Sequence, residues 1–254
     1  MPSSSTNILI TGASSGLGAA LAKAYAMPGV VLGLMGRNQE RLKEVADYCT
    51  RKGAKVEVGL ADVRDDEIMS DWIEHFDDRH PVDLLIANAG VSAGAGGQKE
   101  SQKKLREIFA VNIDGVLNSV LPIIPRMQQR RQGHIAVMSS LAGIRGLPSC
   151  PAYSASKNAV RAFGEGLRGD LKQDGVHVSV ICPGYIKTPM TDVNEFPMPF
   201  IMSAERAADI IMGGIQKNKA RIAFPLALYL PLWLISCLPV ALTDPLFALL
   251  PKKK

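Results

Sequence analysis

The stretch that most constrains this chain is Asn7-Ile8-Leu9-Ile10-Thr11-Gly12-Ala13-Ser14-Ser15-Gly16-Leu17-Gly18. Its apolar run ending at Thr11 reads as a parallel strand buried on both faces. Gly12, Gly16 and Gly18 then lead into an apolar helix pattern carried by Leu21, Ala22, Tyr25 and Ala26. A strand, a Gly-rich turn and a helix start form a phosphate grip. Glycine lets the backbone turn sharply and approach an anion, and unpaired N–H groups at the helix N-terminus point at it. Leu17-Gly18-Ala19 occupies the place where a triphosphate loop needs Gly-Lys-Ser/Thr, which disfavours that class of site.

Strand and helix patterns alternate from this stretch to about Phe224. Strands are predicted at Val30–Leu34, Val56–Leu60, Val82–Ala87, Ile135–Ser139 and Val176–Ile181. Helices are predicted at Asn38–Arg51, Asp65–Phe76, about Gln102–Gln129, Ala152–Lys172 and Ala204–Gln216. Pro122 and Pro125 are expected to kink or break the long third helix. A Gly/Ala/Ser-rich loop is expected over Val91–Gly97. The alternation predicts an α/β fold: one Rossmann-like domain with a doubly wound parallel sheet, whose strand ends share one ligand-binding rim. At 254 residues the chain has ample length for such a core.

Chemistry gathers in two places. Tyr153 and Lys157 are i and i+4 on one helix face, where an ammonium would favour the phenolate and bring its proton transfer into range. Ser140 ends the strand before that helix and could hold a substrate oxygen; its neighbour Ser139 competes for the role, since alternation aims only one at the site. After the second strand comes Leu34-Met35-Gly36-Arg37-Asn38, with no acid to bond a ribose hydroxyl and with Arg37 free to meet a 2′-phosphate. Asp62 and Asp65 both suit a helix N-cap.

Thr-Gly-x-x-x-Gly-x-Gly at Thr11–Gly18, Asn88-Ala89-Gly90, Ser140, Tyr153-x-x-x-Lys157 and Pro183-Gly184 together resemble the short-chain dehydrogenase/reductase family over roughly residues 7–190. The resemblance implies an oxidoreductase exchanging hydride between NADP(H), with NAD possible, and a ketone or secondary alcohol. Tyr153 would be the acid/base, Lys157 would hold the nicotinamide ribose, Ser140 would orient the substrate oxygen, and Asn112 would complete a proton relay. The cofactor would lie on Gly12, Ser14, Ser15, Gly16, Leu17 and Gly18, with Asp62-Val63 at the adenine. Asn88-Ala89-Gly90 would support the sheet beside it, and Pro183-Gly184, Ile186 and Thr188 would lie against the nicotinamide. The resemblance also implies a homodimer or homotetramer through the two long helices. A dinucleotide-binding regulator without turnover, or a membrane-associated scaffold, is the competing class.

Net charge is +5, but the basic residues are dispersed with no stripe interleaved with aromatics, so nucleic acid is not an expected partner. Cys49, Cys150, Cys182 and Cys237 form no CxxC pair, which suits inert thiols in the cytoplasm and no metal site. No N-terminal targeting pattern is read before the first strand. The segment Met190–Met202, rich in methionine and phenylalanine, suits a lid over an apolar substrate or a loop packed on the core. Residues 225–254 form an apolar extension interrupted by Pro225, Pro231, Pro239 and Pro245, ending in Lys252-Lys253-Lys254. Short helices are predicted there, one starting at Thr243-Asp244-Pro245, with Pro239 either starting another after Cys237-Leu238 or ending a segment. They could lie in a membrane surface, cover a subunit interface, or close a substrate pocket.

Overall fold

The computed structural model describes residues 6–92, 101–148, 150–194 and 196–248. Most of the loop expected over Val91–Gly97, together with Glu195 of the lid and the terminal lysines, lies outside the described residues. In chain order the first half runs β1 (Asn7–Thr11), α1 (Gly16–Tyr25), β2 (Val31–Gly36), α2 (Gln39–Arg51), β3 (Lys55–Leu60), α3 (Asp66–Arg79) and β4 (Leu84–Ala87). Then come α4 (Gln102–Phe109), α5 (Gly115–Val120), α6 (Ile124–Arg130), β5 (Gly133–Met138), α7 (Pro151–Asp170) and β6 (Val176–Pro183). The last part is β7 (Ile186–Lys187), β8 (Met202–Ser203), α8 (Ala204–Gln216), β9 (Arg221–Phe224), α9 (Leu226–Ser236) and α10 (Val240–Ala248).

Seven strands pair in parallel in the order β3-β2-β1-β4-β5-β6-β9. Alternation along the strands divides the core in two. Ile8, Ile10 and Leu32 pack with Leu21, Leu42 and Ile211, while Leu9, Leu85 and Val137 pack with Phe76, Val120 and Val160. Helices α1, α2 and α8 therefore cover one face, and α3 to α7 the other. The order reverses between β1 and β4, so the ligand crevice is expected at the ends of those two strands.

Three features depart from the sequence reading. The strand β9 was hidden, because Ile222 and Phe224 read as the start of the apolar extension; both are buried against the sheet. The long helix breaks at Leu121–Ile123, as Pro122 requires, but Pro125 begins α6 instead of interrupting it. Between α4 and α5 a π-helical turn over Ala110–Asp114 was not foreseen. The run Gln102–Arg130 is long and apolar enough to cross a membrane, yet Ile108, Val116, Val120 and Met127 are spent on the core.

Two short helices occupy the described part of the extension; Pro225 and Pro239 stand just before them, Pro231 and Pro245 lie inside them, and α10 starts at Val240 after Pro239, not at Thr243. The Thr243 hydroxyl donates to Val240 O and accepts from Arg145, so it is unavailable as a cap for the helix start expected there.

Asp77 ties the second layer together. It accepts from Val82 N at 2.7 Å, meets both terminal nitrogens of Arg130 at 2.9 Å, and is 3.3 Å from Arg126 Nε. Only 5% of Asp77 is exposed, so removing its carboxylate takes a buried acceptor from Val82 N and from Arg130, which keeps Val82 O, while Arg126 keeps Asp78 and Glu74 O. Asp77→Ala is expected to lower unfolding free energy by about 3–5 kcal/mol in urea titrations. Asp77→Asn should lose less, because its amide oxygen still accepts from Val82.

Candidate active site

Gly12 and Gly16 have φ of +67° and +54°, the left-handed region that only glycine enters without strain. A Cβ at Gly12 would lie 2.8 Å from Ala89 Cα, and one at Gly18 would overlap the Gly12 carbonyl oxygen and reach within 2.6 Å of Asn88 Nδ2. These glycines therefore let α1 and the end of β4 close on the turn. The Thr11 hydroxyl accepts from the amides of Asn88 and Ala89 at 3.1 and 3.2 Å, and Asn88 Nδ2 donates back to Thr11 O at 3.0 Å. At the start of α1, Ser15 makes no side-chain cap, so the first-turn N–H groups carry no internal acceptor of that kind. They face a cleft of about 530 Å³. A negatively charged diphosphate fits this cradle by charge, by donor count and by the space the glycines leave.

The reactive groups stand farther along the same rim. Ser139 and Ser140 both line the cleft, but their hydroxyls go different ways. Ser139 Oγ donates to Lys157 O at 2.7 Å, fixing α7 to β5. Ser140 Oγ accepts from Ala142 N at 3.1 Å and faces the cleft with Tyr153 and Lys157. Lys157 Nζ donates to Met138 O at 2.8 Å and sits 5.9 Å from the Tyr153 ring centre.

The expected lowering of the phenol by its lysine is not what these surroundings give. Burial pushes Tyr153 up to about 12, with the Ser140 hydroxyl partly opposing it. Burial also brings Lys157 down to about 8. One of the three ammonium N–H groups goes to the Met138 carbonyl and burial outweighs the pull of the charge, so the phenol keeps its proton at neutral pH and is a donor.

Asn112 sits in the π turn and does not line the cleft wall. Its Oδ1 accepts from Val91 N at 2.8 Å, and its Nδ2 donates to Val91 O and Ser156 Oγ at 3.0 Å each. A Cβ at Gly90 would come within 3.2 Å of both Asn112 Oδ1 and Lys157 Nζ, so glycine alone keeps the gap between them open.

At the other end of the cleft lie Arg37, Asp62 and Val63. Asp65, not Asp62, is the N-cap of α3, accepting from Ile68 N at 3.1 Å. Asp62 instead accepts from Arg64 Nη2 at 2.7 Å and Nε at 3.0 Å, and these contacts hold its carboxyl down to about 2. Arg37 reaches the same carboxylate only at 3.4 Å and is half exposed. Arg41 also lines this end and escaped the sequence reading, although it lies one helical turn after Arg37. Asn38 Oδ1 accepts from Arg41 N at 2.9 Å, capping α2. A second arginine i+4 from the first, across an N-cap asparagine, was the available signal.

Ser14, Ser15, Gly16, Leu17, Pro183, Gly184, Ile186 and Thr188 complete the lining of the same cleft. Thr188 closes over the glycine turn, since a Cβ at Gly16 would meet its side chain at 3.3 Å. The segment between β7 and β8 is pinned at its base by the pairing of Ile186 with Met202. Gly18→Ala is expected to displace the turn and weaken dinucleotide binding by about tenfold or more, measured by nucleotide fluorescence titration.

A family model for short chain dehydrogenase matches residues 6–196. The chain is 37% identical over 237 residues to an uncharacterized oxidoreductase of Myxococcus xanthus, covering 93% of this chain and 94% of the relative. It superposes with a TM-score of 0.84 on a short chain dehydrogenase/reductase from Burkholderia phymatum solved in complex with NAD, at 26% identity and covering 97% and 96% of the two chains. A short-chain dehydrogenase from Sphingobium yanoikuyae, solved with NADPH, has the same fold at a TM-score of 0.81 and 23% identity, covering 100% and 98% of the two chains. With its glycine turn, its seven-stranded parallel sheet and its matched family model, the chain belongs to the short-chain dehydrogenase/reductase family.

Proposed function

We propose that this oxidoreductase uses NADP(H) in preference to NAD(H) to interconvert a ketone and a secondary alcohol, with an apolar or lipid-like substrate. The carrying observation is that Ser140, Tyr153 and Lys157 face one cleft with the glycine turn at its far end. When bound, the nicotinamide supplies or takes up the hydride. The residues do the rest. Ser140 donates to the substrate oxygen and orients it. Tyr153 transfers its proton to that oxygen as charge develops there. Lys157, whose charge survives at pH 7 despite its lowered pKa, then stabilises the phenolate left behind. With the phenol raised to about 12, the protonated form that reduction needs is the resting state at neutral pH, while the phenolate form needed for alcohol oxidation is populated only as pH rises.

Tyr153→Phe is expected to lower kcat for NADPH-dependent ketone reduction by about 10²–10⁴-fold while leaving nucleotide affinity unchanged. Wild-type turnover in that variant would overturn the acid/base role and favour a dinucleotide-binding regulator.

The NADP preference rests on the missing acid after β2 and on the two arginines at that end of the cleft. Arg64 satisfies Asp62 in two contacts, so Arg37 is held weakly and can turn to a 2′-phosphate. The apolar substrate reading is supported by Met190 in the cleft wall and by Phe200 and Ile201 exposed on the lid. A homodimer or homotetramer built on α4–α6 and α7, at work in the cytoplasm, belongs to the same reading and rests on the family resemblance. Replacing Arg37 and Arg41 together by alanine should raise KM for NADPH by about tenfold or more, with KM for NADH nearly unchanged.

A further inference from the structure

Helix α9 is apolar on every side, yet none of its residues is fully buried. Its inner side is accounted for: Leu228, Tyr229 and Leu232 pack on the core cluster under α7. Its outer side is not. Leu226, Leu230, Trp233 and Leu234 recur at the spacing of one helix face, and Leu226 and Leu234 are 61% and 59% exposed. The apolar surface continues through Leu238, Val240 and Leu242, the last 66% exposed. No charged residue occurs between Arg221 and Asp244; Arg221 is turned to the body of the protein, while Asp244 is mostly exposed. Arg221 Nε donates to Glu165 at 3.0 Å and its Nη1 to Tyr229 Oη at 2.9 Å; Arg145 Nη2 meets Asp244 at 3.2 Å. Each helix is thus tied to the body at one point, α9 near its start through Tyr229 and α10 near its middle through Thr243 and Asp244.

We propose that this face seats on an anionic phospholipid bilayer and brings the mouth of the cleft to the lipid surface. At 11 residues α9 is too short to span a bilayer, which takes about 20. It can lie in the boundary region with Trp233 at headgroup depth. The outer face offers no charge to set the register of a protein partner, and lipid demands none. Charge complementarity selects the lipid: Lys252-Lys253-Lys254 follow the apolar surface directly in sequence. The helix that carries this face adjoins the site through its inner side. Gly184 N, in the turn lining the cleft, donates to Phe224 O at 2.8 Å, and a Cβ at Gly184 would come within 3.0 Å of Pro225 and 3.5 Å of Leu228. Docking stands apart from the catalytic reading; delivery of an apolar substrate from the bilayer rests on it.

The test is flotation of the full chain with vesicles of phosphatidylcholine alone and of phosphatidylcholine mixed with phosphatidylserine. Wild type is expected to float with the mixed vesicles and less with the neutral ones. Leu230→Glu with Leu234→Glu should reduce flotation by about tenfold or more. Replacing Lys252, Lys253 and Lys254 by glutamine should remove most of the anionic preference and its salt sensitivity. NADPH turnover of a water-soluble ketone, measured on each variant, should match wild type. Inactivity of wild type there would count against the catalytic reading without moving the flotation result. Wild type floating with neither vesicle, or the Leu230/Leu234 variant floating as wild type does, would overturn the proposal. So would a wild-type oligomer that this variant splits in sedimentation, because the face would then cover a second copy.

Discussion

Everything at the site depends on how α7 is fastened to β5. Ser139 donates to the Lys157 carbonyl, and the Lys157 ammonium donates to the Met138 carbonyl, so strand end and helix are tied in both directions within one turn. Either bond alone would let the helix slide or rotate; the pair fixes its depth and its roll. Tyr153, one turn earlier on the same face, is thereby held beside Ser140. Close approach makes this possible elsewhere along the helix. A Cβ at Gly164 would press within 2.6 Å of Val137 and 2.7 Å of Val180, and one at Gly143 would come within 2.7 Å of the Lys157 backbone. Backbone contact here replaces side-chain packing, and it carries positional precision that flexible side chains lack.

The same economy governs the other half of the cleft. Thr11, fully buried, spends its hydroxyl on the two amides that follow β4, where the sheet ladder has ended. Asn88 returns a bond to the Thr11 carbonyl. Two strands that would otherwise splay at the crevice are held at a fixed separation, and the glycine turn folds into the space between them. Nucleotide grip and proton chemistry thus share one rim, each stabilised by polar bonds at strand ends that the ladder left unpaired.

Much of this was legible in the sequence because it is local. Apolar strand runs, the positive-φ glycines and the i, i+4 pairing of Tyr153 with Lys157 follow from short-range pattern, and the strand-to-helix alternation carries the sheet. Some of what stayed hidden depends on groups distant in the chain. Thr243 is taken up by Arg145, nearly a hundred residues away, whereas Asp62 and Asp65 were parted by a neighbour, Arg64, whose side-chain direction spacing does not reveal. The phenol's upward shift follows from burial and from where the lysine points, neither of which spacing reveals. The strand β9 was invisible because an exposed apolar extension follows it without a change of composition.

The contacts of Arg221 bear on how such a protein can be made more soluble. The greasy C-terminal helices look like a detachable appendage, but Tyr229 and Glu165 hold the arginine that begins the last strand of the sheet. Trimming the chain after Phe224 would remove one of those two ligands and uncover the apolar wall under Leu228 and Leu232. Polar replacements on the outward ridge would spare both, so surface recoding, not truncation, is the route to a tractable enzyme.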